Sequence, residues 1–133
     1  MTFELSIMTP ERQFFSGAVE ALTITGIDGQ VTVLAGHAPM VASLAVGEIA
    51  IKQDGVWREA VNSEGFMEVL QDSVVVFVQA CEWPEDIDIR RAEEAKHRAE
   101  ERIRQRQSIW ENKSSKIALA RAMVRLRAGR RYH

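Results

Sequence analysis

From Glu85 to Ala128 the chain runs 44 residues without a glycine or a proline, whereas seven of its eight glycines lie at or before Gly65 and all three prolines at or before Pro84. A stretch that long without a backbone breaker reads as helix. The punctuated stretch before it reads as short elements joined by turns. Pro84 fixes its own φ and disfavours the helical region at Trp83, so a new element is expected just beyond it. The boundary is therefore placed near Trp83–Pro84, giving one unit over 1–84 and a second over 85–133. A chain of 133 residues has room for one modest domain and an appendage of this kind.

Charge divides at the same place. Residues 1–84 carry three basic groups against eleven acids, a net of −8, while residues 85–133 carry fourteen basic groups against eight acids, a net of +6. The overall −2 conceals this asymmetry. From Arg102 onward ten residues are basic and Glu111 is the only acid. Such a split points to two units with separate partners.

Several classes are excluded early. With 46% hydrophobic and 27% charged residues the composition is that of an ordinary globular protein. The longest run of large apolar side chains is Val74 to Val78, far short of the roughly 20 residues of a spanning helix. The N-terminal Met-Thr-Phe-Glu-Leu-Ser has an acid where a signal peptide carries basic residues, so export is not expected. One cysteine, Cys81, gives no internal disulfide and no multi-cysteine zinc site. His37, His97 and His133 lie too far apart for metal-ligand spacing. A cytoplasmic protein without a metal is expected.

The first unit alternates in short runs. Leu5 and Ile7, Leu22 and Ile24, Gly29–Leu34, Gly47–Lys52, Trp57–Val61, Phe66–Leu70 and Val74–Val78 are separated by turn residues such as Asp54-Gly55 and Ser63-Glu64-Gly65. Regular short strands without room for crossover helices imply an antiparallel β-sandwich or barrel, and the sandwich is the expectation carried forward. Cys81 and His37 raise the question of a nucleophile and its base. Cys81 ends an apolar strand, where cysteine behaves as a small buried hydrophobe, and His37 sits in a Gly-His-Ala-Pro turn, where it caps a loop. No Gly-x-Ser-x-Gly, His-Glu-x-x-His or phosphate-loop motif occurs, so the sequence argues against catalysis.

The second unit reads as an antiparallel helical hairpin, making the fold class α+β. Residues 86–110 are strong helix formers, with Asp86 or Asp88 as cap and acids in the first turns. Ala92, Ala95, Ala99 and Ile103 form one narrow stripe that lets a partner helix lie close. A break is expected between Ser108 and Ser115, where Asn112, Ser114 and Ser115 offer a turn. A second helix then runs from about Lys116 to Ala128, ended by Gly129. That helix is apolar nearly all round, interrupted by Arg121 and Arg125, and must be buried on most sides. One hairpin partner covers only one side. Packing on the sandwich, a further partner, or different partners in different states would each satisfy the rest; the last is favoured.

At this point the residues match a family. Phe15-Ser16-Gly17, Gly36-His37-Ala38-Pro39, Gly65-Phe66-Met67-Glu68-Val69 and Glu85-Asp86-Ile87-Asp88, in that order and followed by the hairpin, resemble the epsilon subunits of bacterial F-type ATP synthases. The resemblance runs from about Phe3 to Leu126. It implies a non-catalytic central-stalk subunit on the cytoplasmic face of the cell membrane, meeting the membrane only through the complex. Its sandwich would sit on the gamma subunit and the c-subunit ring. Its hairpin would lie retracted, or extend into the catalytic head of alpha and beta subunits and inhibit ATP hydrolysis.

In the same family an Ile/Leu-Asp-x-x-Arg-Ala motif marks ATP binding to the retracted hairpin, and here it reads Ile87-Asp88-Ile89-Arg90-Arg91-Ala92. The resemblance implies ATP as a regulatory ligand, with Glu82 and Asp88 at the adenine and ribose end and Ile87 and Ala92 packing beside it. The residues themselves agree in part. Arg91 and Arg98 share a helix face, as do Arg121 and Arg125, and an antiparallel fold lets the two pairs converge into a cationic pocket suited to phosphate. The alternative is that Asp88 caps the helix and pairs with Arg91, while the arginines solvate a face. Some positions depart from the family: Gln30 stands where some relatives carry an acid facing the c ring, Glu64-Gly65 replaces Gly-Gly, and Trp83-Pro84 is a stiffer hinge.

Two other functions compete. A nucleic-acid-binding module would use the basic hairpin, but no stacking aromatics accompany its arginines and the −8 sandwich repels phosphates. A small sandwich enzyme or sugar-binding domain would need a convergent polar pocket that residues 1–84 do not suggest.

Overall fold

The computed structural model describes residues 1–104 and 109–132. The chain forms two compact units, Met1–Glu82 and Trp83–His133. The first contains β1 (Phe3–Met8), β2 (Gln13–Val19), β3 (Ala21–Gly26), β4 (Gly29–Leu34), β5 (Met40–Leu44), β6 (Gly47–Gln53), β7 (Val56–Asn62), β8 (Gly65–Val69), β9 (Ser73–Val78) and β10 (Cys81–Glu82). They join in the order β10-β7-β6-β3-β5-β8-β9-β1-β2, with β4 paired to β3. The pairing is antiparallel except between β1 and β9, where Leu5 pairs with Val74 and Ile7 with Val76 in parallel. A parallel pair needs a long connection, and here all the intervening strands supply it.

Alternation decides which face is inside. Leu5 and Ile7, Leu22 and Ile24, Ile49 and Ile51 each project inward from every second position and are at most 2% exposed. The runs expected from the sequence are strands, and three further strands, β2, β5 and β10, join them. Gly65 starts β8 where a Cβ would collide with the Phe77 carbonyl oxygen of β9, so the close approach of these strands requires glycine there.

The second unit opens with a 3₁₀ turn over Pro84–Asp86, proline at its first turn, and Trp83 extended before it. It continues into α1 (Ile89–Arg104) and α2 (Ile109–Tyr132), which pack on each other. Ala92 and Ala99 are buried and Ala95 and Ile103 half-buried, so the alanine stripe is the packing face. Glu85 and Asp86 lie in the 3₁₀ turn, and the first turn of α1 itself carries no acid, contrary to expectation.

The helix boundaries also differ from the sequence reading. Gln105 to Ser108 lie outside the described residues, but Asn112, Ser114 and Ser115 are helical rather than a turn. Ser115 is 1% exposed, so its small side chain serves packing inside α2. Gly129 does not end the helix, which continues to Tyr132. A Cβ on Gly129 would stand 3.2 Å from Ile87 Cγ2 and 3.3 Å from Ile89 Cγ1. This glycine answers a close approach, not a C-cap.

The apolar character of α2 is distributed as follows. Ala122 and Leu126 are buried on one side, and Val124 and Ala128 on a stripe roughly 200° round the helix. Ile117 and Met123 remain 45% and 50% exposed.

Candidate functional site

The local sequence explains why the Ile87-to-Ala92 segment folds as it does. The Ile87 N–H donates to the Pro84 carbonyl at 3.2 Å, closing the 3₁₀ turn. Ile87 itself is 4% exposed and seats against the bare backbone of Gly129. Asp88 follows as the N-cap of α1: its Oδ1 accepts the Arg91 N–H at 3.1 Å. Ala92 is fully buried in the helix-packing stripe. Three of the motif's residues thus hold the hairpin in shape. Arg91 is exposed and, among the described residues, makes no side-chain ion pair or hydrogen bond.

Arg98 lies on the exposed face of α1 with Arg90, Glu93, Glu94 and His97. Its guanidinium is likewise uncommitted among the described residues. Arg90 instead pairs with Glu94 at 3.4 Å, one helical turn on. Arg121 and Arg125 are half-buried on α2. The contact of Gly129 with Ile87 and Ile89 sets the register of the two helices. At a rise of about 1.5 Å per residue, Arg125 comes level with Ala92 and Arg121 with Lys96. Both α2 arginines therefore fall within the length of α1 bounded by Arg91 and Arg98. Glu82 belongs to the other unit, half-buried at the end of the sheet, where β10 pairs it with Val61.

A pair missed by the sequence reading lies across the hairpin. Arg130 Nη2 stands 2.8 Å from Glu93 Oε1. A second helix ended by Gly129, as the sequence reading has it, leaves Arg130 no helical face from which to reach Glu93.

Neither Cys81 nor His37 is set up as a nucleophile or its base. Burial pushes the Cys81 thiol from 9.0 to about 12, so it holds its proton at neutral pH. His37 Nδ1 lies 2.7 Å from the Ala38 carbonyl and donates to it, fixing the ring on its own loop. What the sandwich does offer is apolar surface. Phe66 and Phe77 pair across β8 and β9, stack with centroids 5.0 Å apart, and stay 46% and 39% exposed. With Met8 and Pro10 they line an apolar groove. Their signal was present in the alternation, since both are out of phase with the inward Met67 and Val76. Ile27 and Val41 are exposed around the β3–β4 turn, beside a hollow of mixed character that Asp28, Gln30 and Ser43 line with Met40. Among the described residues no helix is long and apolar enough to cross a membrane.

Comparison with known proteins accounts for both units. Residues 2–84 match the beta-sandwich domain of the ATP synthase delta/epsilon chain, and residues 85–129 match its long alpha-helix domain. The ATP synthase epsilon chain of Ruminiclostridium cellulolyticum is 48% identical over 130 residues, covering 98% of this chain and 97% of that protein. That of Caldanaerobacter subterraneus subsp. tengcongensis is 46% identical, covering 98% and 96%. Among solved structures, a chain of the Euglena gracilis mitochondrial ATP synthase, described as OSCP/F1/c-ring in rotational state 1, matches with a TM-score of 0.80 and 25% identity over 92% of this chain and 78% of that one. A chain of the Tetrahymena thermophila mitochondrial ATP synthase shares the fold, with a TM-score of 0.65 at 12% identity over 95% of each. With both of its units matched and its length shared with these relatives, the chain belongs to the family of ATP synthase epsilon chains, non-catalytic subunits of the F-type complex.

Proposed function

We propose that this chain is a rotor subunit of the central stalk that docks by its sandwich on the gamma subunit and the c-subunit ring and inhibits ATP hydrolysis by its hairpin. The docking half is supported by the exposed apolar side chains of Phe66 and Phe77, stacked on one another, and of Ile27 and Val41, which a partner surface would cover. It is also supported by the solved relatives, whose descriptions name F1, central stalk and c-ring assemblies. The chain then works at the cytoplasmic face of the bacterial membrane, held there through the complex.

The observation that carries the inhibitory half is α2. It is an apolar helix studded with Arg121 and Arg125 that leaves Ile117 and Met123 in solvent. Such a helix gains by moving to a second set of neighbours, in the alpha and beta subunits, and a ligand that favours one state shifts the balance. ATP is that ligand in this reading. It is bound by the retracted hairpin through the uncommitted guanidinium groups of Arg91 and Arg98 and through Arg121 and Arg125 at the same height. Ile87, Asp88 and Ala92 complete the hairpin's part of the site, and planar forks of this kind suit phosphate oxygens.

Removing residues 85–133 tests the division of labour. Complex reconstituted with residues 1–84 should assemble, couple, and hydrolyse ATP faster than complex with the full chain. Failure to assemble would show that the hairpin, not the sandwich, makes the stalk contacts.

A further inference from the structure

The end of α2 is held to the start of the hairpin by two contacts of different kinds. Gly129 leaves a notch in the helix surface, and Ile87 and Ile89 fill it, at 3.2 and 3.3 Å from where a side chain would begin. One residue on, Arg130 pairs with Glu93 at 2.8 Å. Ile87 is 4% exposed, while the Arg130 and Glu93 side chains are 60% and 52% exposed. A steric seat therefore lies beside a solvent-screened ion pair. Glycine inside a helix is otherwise unfavourable, so its presence one turn before the end of α2 needs a reason, and the notch supplies it.

We propose that the Gly129 notch and the Arg130–Glu93 pair form a latch: together they clasp the last turns of α2 to the 3₁₀ turn and first turn of α1, and the hairpin opens only when both let go. The proposal rests on the reading that the hairpin opens, and adds where the opening is controlled. Ile87 and Asp88 are adjacent, so the latch also ties the position of the Asp88 cap to hairpin closure. A ligand that reorganises the Ile87–Ala92 segment would strain or strengthen the seat directly.

Amide hydrogen exchange of the full chain, read by mass spectrometry, tests this, with the sandwich amides as internal reference. In an ordinary helix Gly129→Ala would slow exchange by about fivefold through better helix propensity. The latch reverses the sign: Gly129→Ala accelerates exchange, and Gly129→Leu accelerates it by about tenfold or more. The acceleration should reach residues 116–126 of α2 and the first turn of α1. Arg130→Glu should accelerate the same amides by about threefold, and adding Glu93→Arg should restore them, with both effects shrinking at high salt. Slower or unchanged exchange in both Gly129 variants overturns the latch. So does acceleration confined to residues 129–132, which would be end fraying. None of these readings involves ATP hydrolysis, so a failed latch leaves the inhibitory reading standing. Accelerated exchange alongside unaltered inhibition would refute the link between hairpin opening and inhibition and leave the latch intact.

Discussion

The Asp88 carboxylate accepts the Arg91 backbone N–H at 3.1 Å, while the Asp88 carbonyl accepts from the Ala92 N–H at 3.0 Å. One residue thus closes the first turn of α1 from both its side chain and its backbone. Removing the cap with Asp88→Ala should lower the stability of the hairpin by about 1 kcal/mol. Asp88→Asn keeps a capping oxygen without the charge and should unfold nearly as the parent does. Thermal unfolding followed at the helical circular-dichroism band separates the two. If the Asn variant nevertheless binds ATP more weakly, Asp88 has a ligand role beyond the cap.

Arg91 and Arg98 are exposed and hold no partner by their side chains among the described residues. Replacing either with alanine should therefore change stability by no more than about 0.5 kcal/mol. In the proposed ATP site each guanidinium meets phosphate, so the same substitutions should abolish saturable binding in a calorimetric titration. Retained binding in both variants would remove these arginines from the site.

The sandwich was legible in its sequence wherever a strand has one wet and one buried face. Leu5 and Ile7, or Ile49 and Ile51, announce themselves by alternation. β2 did not, because Gln13–Val19 pairs only with β1 at the sheet edge and its sole fully buried residue is Val19. β5 was masked by Pro39 before it and by its short length. The parallel β1–β9 pair is a long-range relation that no local pattern encodes. In the hairpin, Ser115 and Gly129 carry turn chemistry, yet both are helical and buried, because tertiary packing at small residues overrides local propensity; the exposed Ser114 is carried along in the same helix. The motif at Ile87–Ala92 was visible as a string, but the seat of Ile87 on Gly129 depends on helix register and was not.

Gly65 faces the Phe77 carbonyl so closely that any side chain there collides with backbone, which cannot rotate away as a side chain can. Gly65→Ala should force β8 from β9 and lower the stability of the sandwich by about 3 kcal/mol. The stacked Phe66 and Phe77 rings, one on each of these strands, should lose their register with it. Denaturant unfolding monitored by near-ultraviolet circular dichroism reads both effects. A variant as stable as the parent would mean the strands separate at little cost.

Cys81 is 6% exposed, and burial above all pushes its thiol from 9.0 to about 12. A raised folded-state value means that the native protein keeps this proton when the unfolded chain has begun to lose it. Above about pH 9 the unfolded state binds fewer protons, so the contribution to stability is complete below that pH and declines as pH rises towards 12. Chemical denaturation at pH 8 and pH 10 should therefore show a lower midpoint at the higher pH, and Cys81→Ala should remove that part of the decline. The thiol should also react with an aromatic disulfide reagent at pH 8 far more slowly in the native protein than in urea. Rapid native labelling at pH 8 would mean that the end of the sheet at β10 opens readily, and that Cys81 is protected by neither burial nor its retained proton.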